Sequence, residues 1–139
     1  MKENKLMAVI RVRGRVRTRK DINETLRRLN LGHVNNLVLI NPTPSVAGMI
    51  KKCNSYITYG EIDKKVLQEV LDKKLGKVSE SDASGLFECK KKAEEVGIKM
   101  PIKMKPPKHG YEWTKLMYKQ GGALGDRGEE INAIIKRML

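Results

Sequence analysis

Between Leu6 and Ile62 the apolar residues change period repeatedly, and that alternation limits the folds open to the chain. "LMAVIRV" (6–12) repeats at every second residue: Ala8, Ile10 and Val12 share one face, and Val9, Arg11 and Arg13 the other, as in a β-strand. "DINETLRRLNLG" (21–32) repeats at helical spacing, with Ile22, Leu26 and Leu29 in one stripe. Asp21 and Glu24, three residues apart, have the form of a capping box, and Gly32 suits the helix end. "NNLVLI" is a short apolar strand. In "NPTPSVAGMIKKC", Thr43 is placed to cap a second helix, with Pro44 at its first position, where a missing N–H costs nothing. The stripe of that helix, Val46, Ile50 and Cys53, repeats the spacing of the first, a faint sign of internal duplication. "SYITYGEI" is a third strand, ended by Gly60. The order β-α-β-α-β predicts a small α+β core at 1–61 with both helices on one face of a three-stranded sheet, the other face being open.

After Glu61 the texture changes, and residues 62–139 read as a mainly helical extension. "DKKVLQEVLDKKLG" and "SDASGLFECKKKAEEVG" predict helices that stop at glycine. Pro101, Pro106 and Pro107 keep the basic segment 99–119 out of a helix. "GDRGEEINAIIKRML" predicts an amphipathic helix: Ile131, Ile134, Ile135 and Met138 line one side, acids open it, and Lys136 and Arg137 close it. A chain of 139 residues supports one domain with a modest core, and with aromatics at 4% that core is mostly aliphatic.

The charge is sorted. Of a net +13, residues 1–60 hold 12 basic against 3 acidic side chains and residues 61–139 hold 17 against 13, while six lysines between Lys99 and Lys119 face only Glu112. Such an imbalance speaks to partners, nucleic acid before anionic membrane. No apolar run approaches the length of a spanning helix, and "MKENKLMAVIRVRG" has too short an apolar segment for a signal peptide. Cys53 and Cys89, outside any C-x-x-C pair, read as buried or free thiols in a reducing compartment, so an intracellular, cytoplasmic protein is expected.

"RVRGRVRTRK" puts an arginine at every second position from Arg11 to Arg19, followed by Lys20. In an extended chain such neighbours lie about 6.6 Å apart and repel by roughly 0.6 kcal/mol per pair in bulk water. A polyanion turns that repulsion into attraction, and the planar guanidinium fork suits phosphate. Arg11 and Arg13 are expected on the open sheet face, with Gly14 turning the chain into a loop that carries Arg15, Arg17, Arg19 and Lys20. Arg27, Arg28, Lys51 and Lys52 lie off the apolar helix stripes. In "GHVNN", His33, Asn35 and Asn36 are placed to reach ribose or base edges, although turn-forming asparagine is the commoner use. In "KMKPPKHGYEWTK", Lys103, Lys105, Lys108, His109 and Tyr111 form a second basic group, and Trp113 is open between base stacking and packing.

Catalytic signals are weak by comparison. His33 and His109 are the only histidines, and neither has a metal ligand at suitable spacing. "GGALGDRGEE" lacks the Lys-Ser/Thr end of a phosphate-binding loop and reads as a turn into the last helix. An enzyme, a metal, a cofactor and a small-molecule substrate are not expected. No helix-turn-helix, zinc ligand set, heptad basic region or RNP aromatic signature selects the nucleic acid. Three readings compete on these residues: an RNA-binding or RNA-chaperone module with exchanging partners, a phosphate-handling enzyme built on "GGALGDRG", and an adaptor whose helices between Asp63 and Gly97 bind another protein.

The joint order of "IRVRG", "LRRLNLGHVNN", "TPSVAGMIKK" and "YITYGEI" resembles the universal large-subunit ribosomal protein thirty family, whose eukaryotic counterpart is large-subunit protein seven. The remainder resembles the archaeal-type extension, and "GGALGDRGEEINAIIKRML" is similar to the ending shared by archaeal and eukaryotic members. The resemblance implies a ferredoxin-like core, with both helices on one face of a three-stranded antiparallel sheet, and a structural constituent of the large ribosomal subunit. It also implies binding to large-subunit rRNA near the docking region of the 5S RNA, among neighbouring ribosomal proteins. Carried over by position, it places RNA contacts on Arg13, Arg15, Arg17, Arg19, Lys20, His33, Asn35, Asn36, Lys51 and Lys52.

Overall fold

The computed structural model describes residues 6–76, 79–88, 101–111 and 113–139. Strand β1 (Met7–Arg11) pairs antiparallel with both β2 (Asn36–Ile40) and β3 (Ile57–Glu61), Val9 standing between Val38 and Tyr59. Helices α1 (Lys20–Arg28) and α2 (Pro44–Lys52) cover the face that carries Met7 and Val9, and there Leu26, Leu29, Ile50 and Cys53 are buried. The β-α-β-α-β order and both helix stripes are therefore present. Each fully buried aliphatic side chain of this layer stabilises the fold by about 1.5–3 kcal/mol.

The sheet has six strands, however, and not the three expected. Strand β4 (Ile102–Lys103) adds antiparallel to β2, β6 (Gly122–Asp126) adds parallel to β3, and β5 (Trp113–Met117) adds parallel to β6, giving the order β4-β2-β1-β3-β6-β5. The face expected to be open is also covered. Helices α3 (Lys64–Leu75), α4 (Glu80–Phe87) and α5 (Ile131–Met138) bury Ala8, Ile10, Leu37 and Leu39 beneath Val66, Val70, Leu86, Ile131 and Ile135. All five residues of β1 are buried as a result. A strand closed on both faces needs apolar residues on both, and only Arg11 departs from that in β1.

Local signals explain the helix ends. Thr43 Oγ1 accepts from the Val46 amide at 3.2 Å with Pro44 next to it, as its sequence predicts. The Asp21–Glu24 capping box does not form. Helix α1 starts two residues earlier behind Arg19, Asp21 Oδ1 accepts from the Ile22 amide at 3.0 Å, and Glu24 is drawn to Arg28. Asn30, at φ 60°, turns the chain after α1 in place of Gly32. The stretch "GGALGDRG" is largely strand β6, not a turn. A Cβ at Gly122 would collide with the backbone carbonyl of Leu116, so glycine is what lets the parallel neighbours approach. Arg127 then fixes β6 to β3: its Nε donates to Thr58 Oγ1 at 2.8 Å, its Nη2 donates to the Ala123 carbonyl at 3.1 Å, and its guanidinium lies 5.0 Å from the Tyr118 ring centre. Helix α5 begins at Ile131, after a 3-10 turn at Gly128–Glu130. Cys89 and the second half of the helix predicted from Ser81 lie outside the described residues.

Candidate nucleic-acid interface

Strand directions decide where the basic segments meet. Strand β1 ends at Arg11, and because β2 and β3 run against it, Asn36 and Ile57 lie at that same end of the sheet. Lys103 of β4 is opposite Asn36, while β5 and β6, parallel to β3, begin there at Trp113 and Gly122. One end of the sheet thus collects the 12–19 loop, the 30–35 turn, the C-terminus of α2 with Lys51 and Lys52, and the segment around Lys103 and Lys105. Helix α5 also runs towards it, since the Tyr111 hydroxyl lies between Asn35 and Met138, bringing in Lys136 and Arg137. Glu61, Asp126, Glu129 and Glu130 lie towards the opposite end. Charges far apart in the chain are sorted along the strand axis.

Within the arginine run the structure separates side chains that the sequence treats alike. Arg15, Arg17 and Arg19 are exposed, as is Lys20. Arg13 is half-buried, its guanidinium 5.2 Å from the centre of the Tyr56 ring. Arg15 Nη2 lies 3.3 Å from His33 Nδ1. A guanidinium can only donate, so a hydrogen bond between them has His33 Nδ1 as the acceptor. Arg19 pairs with Asp21 at 3.4 Å, Lys52 reaches the same carboxylate at 3.9 Å, and Arg28 pairs with Glu24 at 3.1 Å. These are solvent-exposed pairs of the kind that exchange easily for another anion.

Four predicted contact residues are used differently. Arg11 is 1% exposed, not on an open face, because its side chain follows Val9 onto the side covered by α1 and α2. Its Nη1 donates to the Leu31 carbonyl at 2.7 Å and its Nε to the Arg13 carbonyl at 2.8 Å. Asn36 is buried within β2, opposite Lys103. Asn35 takes the left-handed conformation at φ 65°, and its Oδ1 accepts from the Tyr111 hydroxyl at 2.6 Å. Tyr111 accordingly packs against the core, whereas Trp113 is 71% exposed. Arg27, Lys105, Lys108 and His109 are exposed, the last two in a turn closed by the Gly110 amide donating to the Pro107 carbonyl. The sequence reading missed Tyr56 and the C-terminal pair Lys136 and Arg137. Tyr56 sits three residues beyond the apolar stripe of α2, where no periodic signal marks it, whereas the basic end of α5 was visible and only its destination was not.

The family described as "Ribosomal protein L30p/L7e" matches residues 7–57. A large ribosomal subunit protein uL30 of Nanoarchaeum equitans is 42% identical, over 96% of this chain and 99% of the relative. Proteins of the same name from Methanoregula boonei and Thermoplasma acidophilum are each 37% identical over 96% of this chain, and cover 99% and 93% of those relatives. The chain belongs to the L30p/L7e family. The family match ends at Ile57, within the half of the chain that holds the arginine run, α1, α2 and the "GHVNN" turn. The archaeal relatives extend over the rest, including β4, β5, β6 and the helices that close the second face of the sheet. In such a family Arg127 and "GGALGDRG" have a sufficient role in fastening β6, and the phosphate-handling enzyme reading has no support left.

Proposed function

We propose that the protein is a structural constituent of the large ribosomal subunit, not an enzyme, and that it holds large-subunit rRNA with the basic end of its sheet. The observation that carries this reading is the convergence of Arg13, Arg15, Arg17, Lys20, Lys51 and Lys103 on that end, in a chain whose relatives bear the name of a large-subunit protein. Phosphate contacts fall to the exposed Arg15, Arg17, Arg19, Lys20, Arg27, Lys51 and Lys52, and the β4–β5 side adds Lys103, Lys105, Lys108 and His109. Residues 1–61 act as a ferredoxin-like RNA-binding core, and 62–139 complete the sheet and supply surface for neighbouring ribosomal proteins. A site near the 5S RNA docking region is the placement we favour.

Competition binding tests the reading. A large-subunit rRNA fragment from the 5S-proximal region should retain the protein at salt levels that release generic duplex RNA and duplex DNA. Replacing Arg15, Arg17 and Arg19 with alanine should flatten the salt dependence, each lost phosphate contact lowering the slope by about 0.7–0.9. If all three nucleic acids titrate away together, the non-ribosomal RNA-binding alternative replaces ours. An unchanged slope in the triple variant removes the loop from the interface.

A further inference from the structure

Beneath the arginine loop lies a cleft of about 470 Å³, with Arg11 on its wall and Arg15, Lys20 and Arg27 around it. Asn23 and Glu24 of α1 also line it. Four cationic side chains thus face one carboxylate, and that carboxylate is engaged by Arg28 at 3.1 Å. Arg11 is the unusual member. It is buried, its Nε and Nη1 end on neutral carbonyls, and its Nη2 has no hydrogen-bond partner. Burial, and then the charge of Arg15, push its pKa below the usual arginine range. A buried guanidinium normally has a carboxylate partner, because an uncompensated charge in a poorly solvated site is costly. Here the one carboxylate of the cleft, Glu24, is paired with Arg28, and the other charged residues of the lining add positive charge.

We propose that this cleft receives a single RNA phosphate group, with Arg11 as its buried floor and Arg15, Lys20 and Arg27 as its rim, so that the floor charge is neutralised only when RNA is bound. The inference deepens the RNA-binding reading and rests on it. It also gives the Arg15–His33 contact a purpose: His33 holds one rim arginine beside the opening while the cleft is empty. The phosphate arrives as a backbone diester or as the terminal monoester of an RNA end, and both present the same anionic oxygens to the site.

Thermal unfolding of the full chain in inorganic phosphate, against chloride at matched ionic strength, tests the cleft without RNA. The wild type should gain Tm progressively with phosphate concentration, as ligand linkage requires. Lys20→Gln combined with Arg27→Gln changes only exposed side chains, so it should fold and should bind phosphate at least about tenfold more weakly, the loss expected for charged hydrogen bonds. Lys73→Gln, exposed on α3 and outside the cleft, should respond as the wild type does. Oligonucleotides with and without a 5′ phosphate then identify the source: dependence on it marks end capture, and indifference marks a backbone diester. If phosphate has no effect beyond ionic strength, or the double and Lys73 variants respond alike, while the rRNA fragment still binds, the cleft proposal is overturned and the RNA-binding reading stands. Loss of rRNA binding in the wild type itself would instead remove the reading underneath.

Discussion

Replacing Gly60 with alanine probes how the C-terminal helix is seated on the sheet. Gly60 is in the interior of β3, opposite Ala8, and the start of α5 lies over it. A Cβ built there would lie 2.9 Å from both Cβ and Cγ2 of Ile131 and would collide with the Gly128 carbonyl. The second obstacle is backbone, which cannot rotate aside, so the cost belongs near the top of the usual overpacking range of about 1–3 kcal/mol. Alanine also reduces the freedom of the unfolded chain, which returns about 0.4–1 kcal/mol. The net expectation is a destabilisation of about 2 kcal/mol. With a urea dependence of about 1–3 kcal/mol per molar, the unfolding midpoint should fall by roughly 1 M with unchanged slope. Circular dichroism in urea measures this directly. Since Gly60 lies towards the acidic end of the sheet, affinity of the folded variant for the rRNA fragment should not change. An unchanged or raised midpoint would refute the claim that close approach of α5 is what requires glycine.

Two further predictions concern Tyr111 and Trp113, of which the fold buries the first and exposes the second. Burial pushes the Tyr111 pKa up to about 12 against the opposing pull of Arg127 and Arg137, above the value of about 10 for an unfolded tyrosine. Its contribution is therefore complete below about pH 10 and is lost as pH rises towards 12. Allowing for partial solvent screening, wild type should lose on the order of 1–2 kcal/mol more than Tyr111→Phe across that window, as urea midpoints and tyrosinate absorbance would report. Equal losses in the two proteins would contradict the burial of this hydroxyl. Trp113→Ala should leave the urea midpoint within about 0.5 kcal/mol of wild type. Stacking of one base on the indole would make its rRNA affinity fall by about fivefold or more; loss of stability without loss of affinity would mean that Trp113 packs after all.

What could be read from the sequence follows from how far each signal reaches along the chain. The first three strands and two helices are legible because their apolar stripes and the Thr43–Pro44 cap depend on residues within a few positions of one another. Strand β6 is not legible: "GALGD" has no alternation, and its glycines answer to Leu116 and to strand neighbours that sequence spacing cannot place. The fate of Arg11 was hidden for a similar reason. Its partner is the Leu31 carbonyl, twenty residues on, and nothing in "RVRGRVRTRK" distinguishes the first arginine from those that follow. The exposed basic residues were the easier part of the site, because off-stripe charges on helices and loop arginines have few places to go except solvent. Tyr111 and Trp113 are two residues apart among lysines, and which one turns inward is settled by Asn35 and Met138 across the fold.

Those long-range contacts give the extension a part in organising the basic end even where it need not touch RNA. Asn35, in a conformation that most side chains avoid, is held from three sides. Its amide donates to the Arg11 carbonyl at 2.9 Å, its carbonyl accepts from the Met104 amide at 3.1 Å, and its Oδ1 accepts from Tyr111 at 2.6 Å. Two of the three partners come from the segment after Pro101. Two residues before Asn35 in the same turn is His33, which meets Arg15. The order of constraint therefore runs from Met104 and Tyr111, through the 33–35 turn, to the rim of the cleft. An arginine loop that repels itself needs its neighbours fixed if a phosphate is to meet several cations at once, since each side chain ordered beforehand removes part of the entropy cost of binding. The residues that hold the loop in place are supplied from more than sixty positions away, by the segment that connects two strands of the same sheet.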